Sequence, residues 1–275
     1  MSKVTFELGH GQVEGIYLKA SEPSAPLVVI TNGHNGFYNY GMFPHIQKTF
    51  QKHGISSYSY NFSHGGVVAD SDYFTELDKY EKNSMRLETL DLLGVLEHLS
   101  DSVIDFNSGT DLYLFSHSLG VVPTIFAARK FEGRDLSGIV LLAPIKTLNV
   151  FPKEMIDKWE ENGVYYMKNN RTGQELPQGS EFLSEIKKSD SEWNLEDAIR
   201  DVGTRYLIVH GKEDKDVPAE HSETLQDWAE DSGNDVKRHL IENAGHTFNT
   251  KHPFEGTTPE LEQGLGVVVK WMSGA

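Results

Sequence analysis

Residues 111–120, Asp-Leu-Tyr-Leu-Phe-Ser-His-Ser-Leu-Gly, run a short apolar and aromatic segment straight into Ser-x-Ser-x-Gly, and a helix-like stretch, 121–130, follows at once. A chain that turns this sharply from strand to helix brings the two elements close together. The positions two before and two after the centre of the turn must therefore be small. Centred on Ser118 those positions are Ser116 and Gly120; centred on Ser116 one of them is Leu114, which is too large. Ser118 is thus the candidate nucleophile. The pentapeptide alone also suits an ordinary serine-rich turn, and it is the strand before it and the helix after it that single it out.

The same alternation runs through most of the chain. Short apolar runs bounded by turn residues, at 27–30, 137–144 and 205–210, predict strands buried on both faces; 55–62 and 236–241 add two more. Helical spacing at 41–54, 86–99, 219–230 and 258–272 supplies the intervening elements, with Leu87, Leu90, Leu93, Val95 and Leu96 as the expected apolar face of the second. The class predicted is α/β, with a mostly parallel central sheet flanked by helices. Alternating runs at 4–8 and 13–18 predict an antiparallel hairpin at the sheet's edge. Residues 67–82, polar and acidic, read as a loop. From 145 to 200 the alternation stops. A helix-like 153–161, the run Val164-Tyr165-Tyr166-Met167, a turn at 170–173 and a polar stretch to Trp193 suggest an insertion, dividing the chain into a core of 1–144 and 201–275 and an inserted unit of 145–200.

Charge and composition narrow the partners. The 275 residues carry a net charge of −16 with no basic patch, which argues against nucleic acid or an anionic membrane surface. There is no cysteine, so the nucleophile is not a thiolate and disulfides are excluded. Neither a leader-like apolar segment nor a membrane-length run is present, and a cytoplasmic setting is expected. Metal-ligand spacing and glycine-rich dinucleotide patterns do not occur, so no cofactor and no metal are expected. The oligomeric state is not legible.

The Ser118 turn in its frame resembles the nucleophile elbow of the α/β-hydrolase superfamily, and other stretches resemble further parts of that family. Gly211-Lys212-Glu213-Asp214-Lys215-Asp216-Val217-Pro218 is similar to the family's Gly-x-x-Asp-x-x-Val-Pro, which puts the acid at Asp214, with Asp216 as the rival. Ala244-Gly245-His246 resembles the catalytic-histidine loop. Asn32-Gly33-His34 stands where the family carries an oxyanion loop, with Asn32 in place of the usual histidine. Asn61-Phe62-Ser63-His64-Gly65-Gly66 is a degraded form of another family turn, and His64 is read as structural.

The resemblance implies a fold with an inserted cap and a triad in the order Ser118, Asp214, His246, with the N–H groups of His34 and Leu119 holding an oxyanion. It implies hydrolysis of small-molecule carboxylic esters through an acyl-enzyme, as in small bacterial carboxylesterases of the feruloyl or cinnamoyl type and related serine-peptidase-like hydrolases. A peptidase or amidase, and an inactive binding protein, are the alternatives. The remaining histidines, His117 included, read as surface or structural. Of Trp159, Tyr165, Tyr166 and Trp193, most are expected to pack the insertion's own core and one or two to face the site.

Overall fold

A computed structural model describes residues 1–68, 71–99, 104, 109–169 and 171–274. Among them, eight strands form one sheet: β1 (Ser2–Leu8), β2 (Gly11–Leu18), β3 (Leu27–Thr31), β4 (Ser56–Asn61), β5 (Leu112–His117), β6 (Gly138–Leu142), β9 (Tyr206–Gly211) and β10 (Val236–Ile241). Two more, β7 (Val164–Lys168) and β8 (Glu175–Gly179), pair separately. The order across the large sheet is β1-β2-β4-β3-β5-β6-β9-β10. The first hairpin is antiparallel and joins β4 antiparallel, and every pair from β4 onward is parallel.

The apolar runs become central strands because alternate side chains feed two separate cores. Leu112 and Leu114 of β5 enter a cluster with α3 (Met85–Glu97), α4 (Val121–Lys130), α7 (Leu195–Asp201) and α8 (Glu220–Asp231). Tyr113 and Phe115 enter the opposite cluster, with α1 (Phe43–Lys52) and α9 (Pro259–Met272). Each fully buried side chain of this kind contributes about 1.5–3 kcal/mol of transfer free energy. Among the described residues no helix is long and apolar enough to cross a membrane.

The chain goes from β3 out to β4 on one side and returns to β5 on the other. The direction of winding therefore reverses between β3 and β5, and the loops leaving their C-terminal ends part there to leave a crevice. The Asn32-Gly33-His34 loop and the Ser118 turn are those two loops.

Two of these expectations need correcting and a third holds. Residues 77–81, read as loop, form a short helix, α2 (Leu77–Glu81), while 69–70 of that stretch lie outside the described residues. The turn expected at 170–173 does join β7 to β8, with residue 170 outside the described residues. The buried face of α3 is wider than expected: Leu87, Val95 and Leu96 are buried as the spacing implied. Leu90 and Leu93 are half-buried, whereas Glu88, Thr89 and Asp91 are buried. Polar partners supplied by other segments make this possible, since Asp91 accepts from His10 Nε2 at 2.7 Å and from the Ser63 N–H at 2.8 Å.

The insertion consists of α5 (Lys153–Asn162), β7, β8 and α6 (Ser180–Lys187), whereas α7 already packs on α4 and α8. Hydrogen bonds fasten the insertion to the core, among them one from Gln178 to Tyr80. Glu185 of α6 accepts the backbone N–H groups of Met85 and Arg86 at 2.6 and 3.0 Å, capping α3 across the boundary. The Gln174 amide exchanges two hydrogen bonds with the backbone of Phe74, at 3.0 and 2.8 Å.

Glu88 accepts from Asn83 Nδ2 at 2.7 Å, but its burial dominates and pushes its carboxyl up from 4.5 to about 8. Between those two values the folded protein holds a proton that the unfolded chain has lost, so stability falls as pH rises through that window. Glu88→Gln is therefore expected to raise Tm at pH 8.5 and to change it much less at pH 5. Thermal unfolding at the two pH values measures the difference, and equal shifts would contradict the buried-carboxyl account.

Candidate active site

Four chain segments converge at the crevice. β5 ends in His117, and Ser118 begins a single 3-10 turn with φ +56°, in the left-handed region that a residue with a Cβ enters at a cost of about 1 kcal/mol or more. Close packing holds the turn there. A Cβ on Gly120 would lie 2.5 Å from Asn32 O, and one on Gly33 would lie 2.8 Å from His117 O and 3.0 Å from Ser118 Cβ. The glycines let the β3 loop lie directly against the serine, with residues 33 and 34 beside it.

Asp214 follows β9 in a turn that its own side chain organises. Oδ1 accepts the N–H groups of Asp216 and Val217 at 3.0 and 2.9 Å. Gly211 lets the loop after β10 approach, since a Cβ there would lie 2.3 Å from Ala244 O. That loop carries His246 between the other two groups: Nδ1 donates to Asp214 Oδ2 at 2.8 Å, and Nε2 stands 2.9 Å from Ser118 Oγ. Asp216, the rival acid, is exposed and meets Asp214 only through its backbone. Of the five residues singled out from the sequence, Ser118, Asp214 and His246 thus form one hydrogen-bonded series, and His34 and Leu119 flank the serine.

The electrostatics follow from what surrounds each group. Burial pushes the Asp214 carboxyl up, but hydrogen bonds from His210 and His246 outweigh it and hold it well below the usual carboxylate range. His34 is lowered to about 4 by desolvation alone and is neutral near pH 7; its ring packs against Phe182 and Phe151, at 5.7 and 6.1 Å.

Two further histidines belong to the assembly, and the sequence did not single them out. His117, buried, donates Nε2–H to the backbone oxygen of His246 at 3.0 Å. Desolvation first, and His246 second, lower it to about 3, so it holds the histidine loop as a neutral donor. His210, with no exposed surface, places Nε2–H between Val217 O at 2.9 Å and Asp214 Oδ2 at 3.2 Å. Their positions beside β-strand ends were the available signal. His64 bonds to Ser63 Oγ, as a structural turn residue would.

Ser118 and His246 open on a pocket of about 230 Å³ walled by the 33–36 loop, Tyr40 and Phe43 and, from the insertion, Lys168, Asn169 and Arg171. Among the described residues, none of Trp159, Tyr165, Tyr166 and Trp193 lines the pocket. Trp159 is fully buried against Phe151, Tyr165 and Phe182, Trp193 packs on Phe126, and Tyr166 points to solvent. Trp159 and Tyr165 pack within the insertion, Trp193 packs on α4 of the core, and polar turn residues reach the pocket instead.

The family model described as the prolyl oligopeptidase family matches residues 154–255, a span that holds Asp214 and His246 but not Ser118. A search of curated proteins found no match. Among solved structures, Est1E from Butyrivibrio proteoclasticus with ferulic acid bound is 18% identical, with a TM-score of 0.71 and 98% of each chain covered. The α/β hydrolase GrgF from Penicillium sp. sh18 is 18% identical, with a TM-score of 0.69 over 99% of this chain and 98% of that one. Alpha/beta hydrolase domain-containing protein 10 from mouse is 15% identical, with a TM-score of 0.67 over 100% and 98%. With the parallel sheet, its strand order and the turn after β5, these likenesses identify the architecture: the chain has the α/β-hydrolase fold.

Proposed function

We propose that the protein is a serine hydrolase that cleaves small carboxylic esters through an acyl-enzyme. The observation that supports this reading is the unbroken series from Asp214 through His246 to Ser118 Oγ, opening on a pocket. In it, Ser118 Oγ attacks the ester carbonyl carbon while His246 Nε2 takes its proton, and Asp214 keeps Nδ1 protonated and steadies the imidazolium. The N–H groups of Leu119 and His34 hold the oxyanion, each worth roughly 3 kcal/mol. Collapse of the tetrahedral adduct breaks the C–O bond, and the alcohol leaves with the proton from Nε2. Water, deprotonated by the same nitrogen, then attacks the acyl carbon and releases the acid and Ser118. The inserted segment acts as a cap that walls one side of the pocket, and the reading keeps a cytoplasmic setting.

Peptide-bond cleavage is the second reading, favoured by the match of residues 154–255 to the prolyl oligopeptidase family. Among the described residues, the aromatic side chains that wall the pocket are Tyr40 and Phe43, and ferulate, bound in Est1E, is kept as a test substrate. Turnover of p-nitrophenyl acetate, methyl ferulate and an aminoacyl anilide separates the readings. The acetate is expected to be fastest; an anilide turned over faster than every ester would replace the esterase with a peptidase.

A further inference from the structure

The chain has 41 acidic residues against 25 lysines and arginines, yet among the described residues the lysines and arginines lining the Ser118 pocket are Lys168 and Arg171, with no carboxylate beside them in the lining. Several other exposed cations are ion-paired, Lys153 with Asp157, Lys188 with Glu192, Arg200 with Glu196 and Asp231, and Lys251 with Glu255, while others among the described residues, such as Lys130 and Lys215, are not, so it is their place at the pocket that sets Lys168 and Arg171 apart. Among the described residues, Lys168 and Arg171 form no ion pair.

Both cations sit on a turn that is built to stay where it is. Asn169 is buried, and its Oδ1 accepts the N–H groups of Arg171 and Thr172 at 3.0 and 3.2 Å, while Gln174 pins the turn's far side to Phe74. The Arg171 guanidinium lies over the Tyr40 ring, 5.0 Å from its centroid, and Tyr40 is stacked at 4.4 Å on His252. The guanidinium also hydrogen-bonds the Tyr40 side chain, and its remaining N–H groups can meet a planar anion such as a carboxylate. The positive charge at a partly enclosed mouth also concentrates anions against the repulsion of the rest of the surface.

We propose that Arg171, with Lys168, selects esters whose acyl or alcohol part carries a carboxylate. This rests on the serine-hydrolase reading and names the substrate class of the same pocket. Two matched pairs test it and locate the anion: p-nitrophenyl monoglutarate against p-nitrophenyl valerate for the acyl side, and 4-acetoxybenzoate against its methyl ester for the alcohol side. In one pair the anion is expected to have a kcat/KM about tenfold higher at low salt, an advantage that shrinks as salt screens it. That advantage should vanish in the Arg171→Gln/Lys168→Gln double variant and be partly kept in Arg171→Lys. Preference for the neutral member of both pairs, or an advantage that the double variant retains, overturns the proposal. Labelling of Ser118 by a fluorophosphonate separates the two levels: a labelled enzyme without anion preference loses only this inference, whereas an unlabelled enzyme inert to all four esters loses the hydrolase reading beneath it.

Discussion

Ser118→Ala is expected to abolish labelling by a fluorophosphonate and to lower kcat on an activated ester by about 10⁶, the scale seen when the serine of another triad is removed. The only hydroxyl within the same turn is Ser116, and its Oγ is buried with no hydrogen-bond partner. Ser116→Ala removes an unsatisfied polar group and keeps the small side chain that the turn requires, so labelling and turnover should survive and stability should hold or rise. Mass spectrometry of the labelled protein, with kcat for both variants, measures this. Labelling that persists in Ser118→Ala would move the nucleophile elsewhere.

The second large effect belongs to the acid. Asp214→Asn should reduce kcat by about 10⁴, as in the Asp-to-Asn replacement of a chymotrypsin-like triad. The amide is the wrong shape of charge in either orientation, because all four donors here point at carboxylate oxygens: two backbone N–H groups at Oδ1, and the His246 and His210 N–H groups at Oδ2. Whichever way the asparagine turns, its NH₂ faces donors. If the clash is relieved by flipping the His246 tautomer, Nε2 becomes a donor and cannot accept the serine proton. The Asp214 carboxyl is held low, so its contribution to stability is complete above its ordinary value of 3.8 and is lost only as pH falls through the depressed one. Asp216→Asn, at an exposed position whose N–H and not its carboxylate is used, should cost little. Measuring both kcat values on one ester decides the assignment, and a large loss confined to Asp216→Asn would reverse it.

The fold was largely legible because a two-faced parallel sheet writes itself as apolar runs, and β3, β5, β6 and β9 lie where those runs stand. The elbow was legible for a steric reason: only small residues fit at 116 and 120, and Gly120 has Asn32 O within 2.5 Å of where a Cβ would stand. What stayed hidden depends on which segments meet. Glu88 and Asp91 look like a solvent face by helical spacing, and become a buried one only because Asn83, His10 and Ser63 arrive from elsewhere. His117 and His210 are strand-end residues whose partners stand 129 and 4 to 7 positions away. Arg171 lies on a turn without periodicity, so its place at the pocket follows from the pairing of β7 with β8 and not from any pattern around it.

The fastening of the insertion bears on how such an enzyme would run. Glu185 supplies acceptors for the first turn of α3, and Gln174 closes a two-way bond with Phe74. Swinging the insertion aside would strip a core helix of its cap and bare a buried carboxyl, so opening becomes partial unfolding and not the free travel of a hinged lid. Substrate would then reach Ser118 through a mouth of constant width, turnover would be indifferent to solvent viscosity, and selection among substrates would fall to size and charge at the entrance.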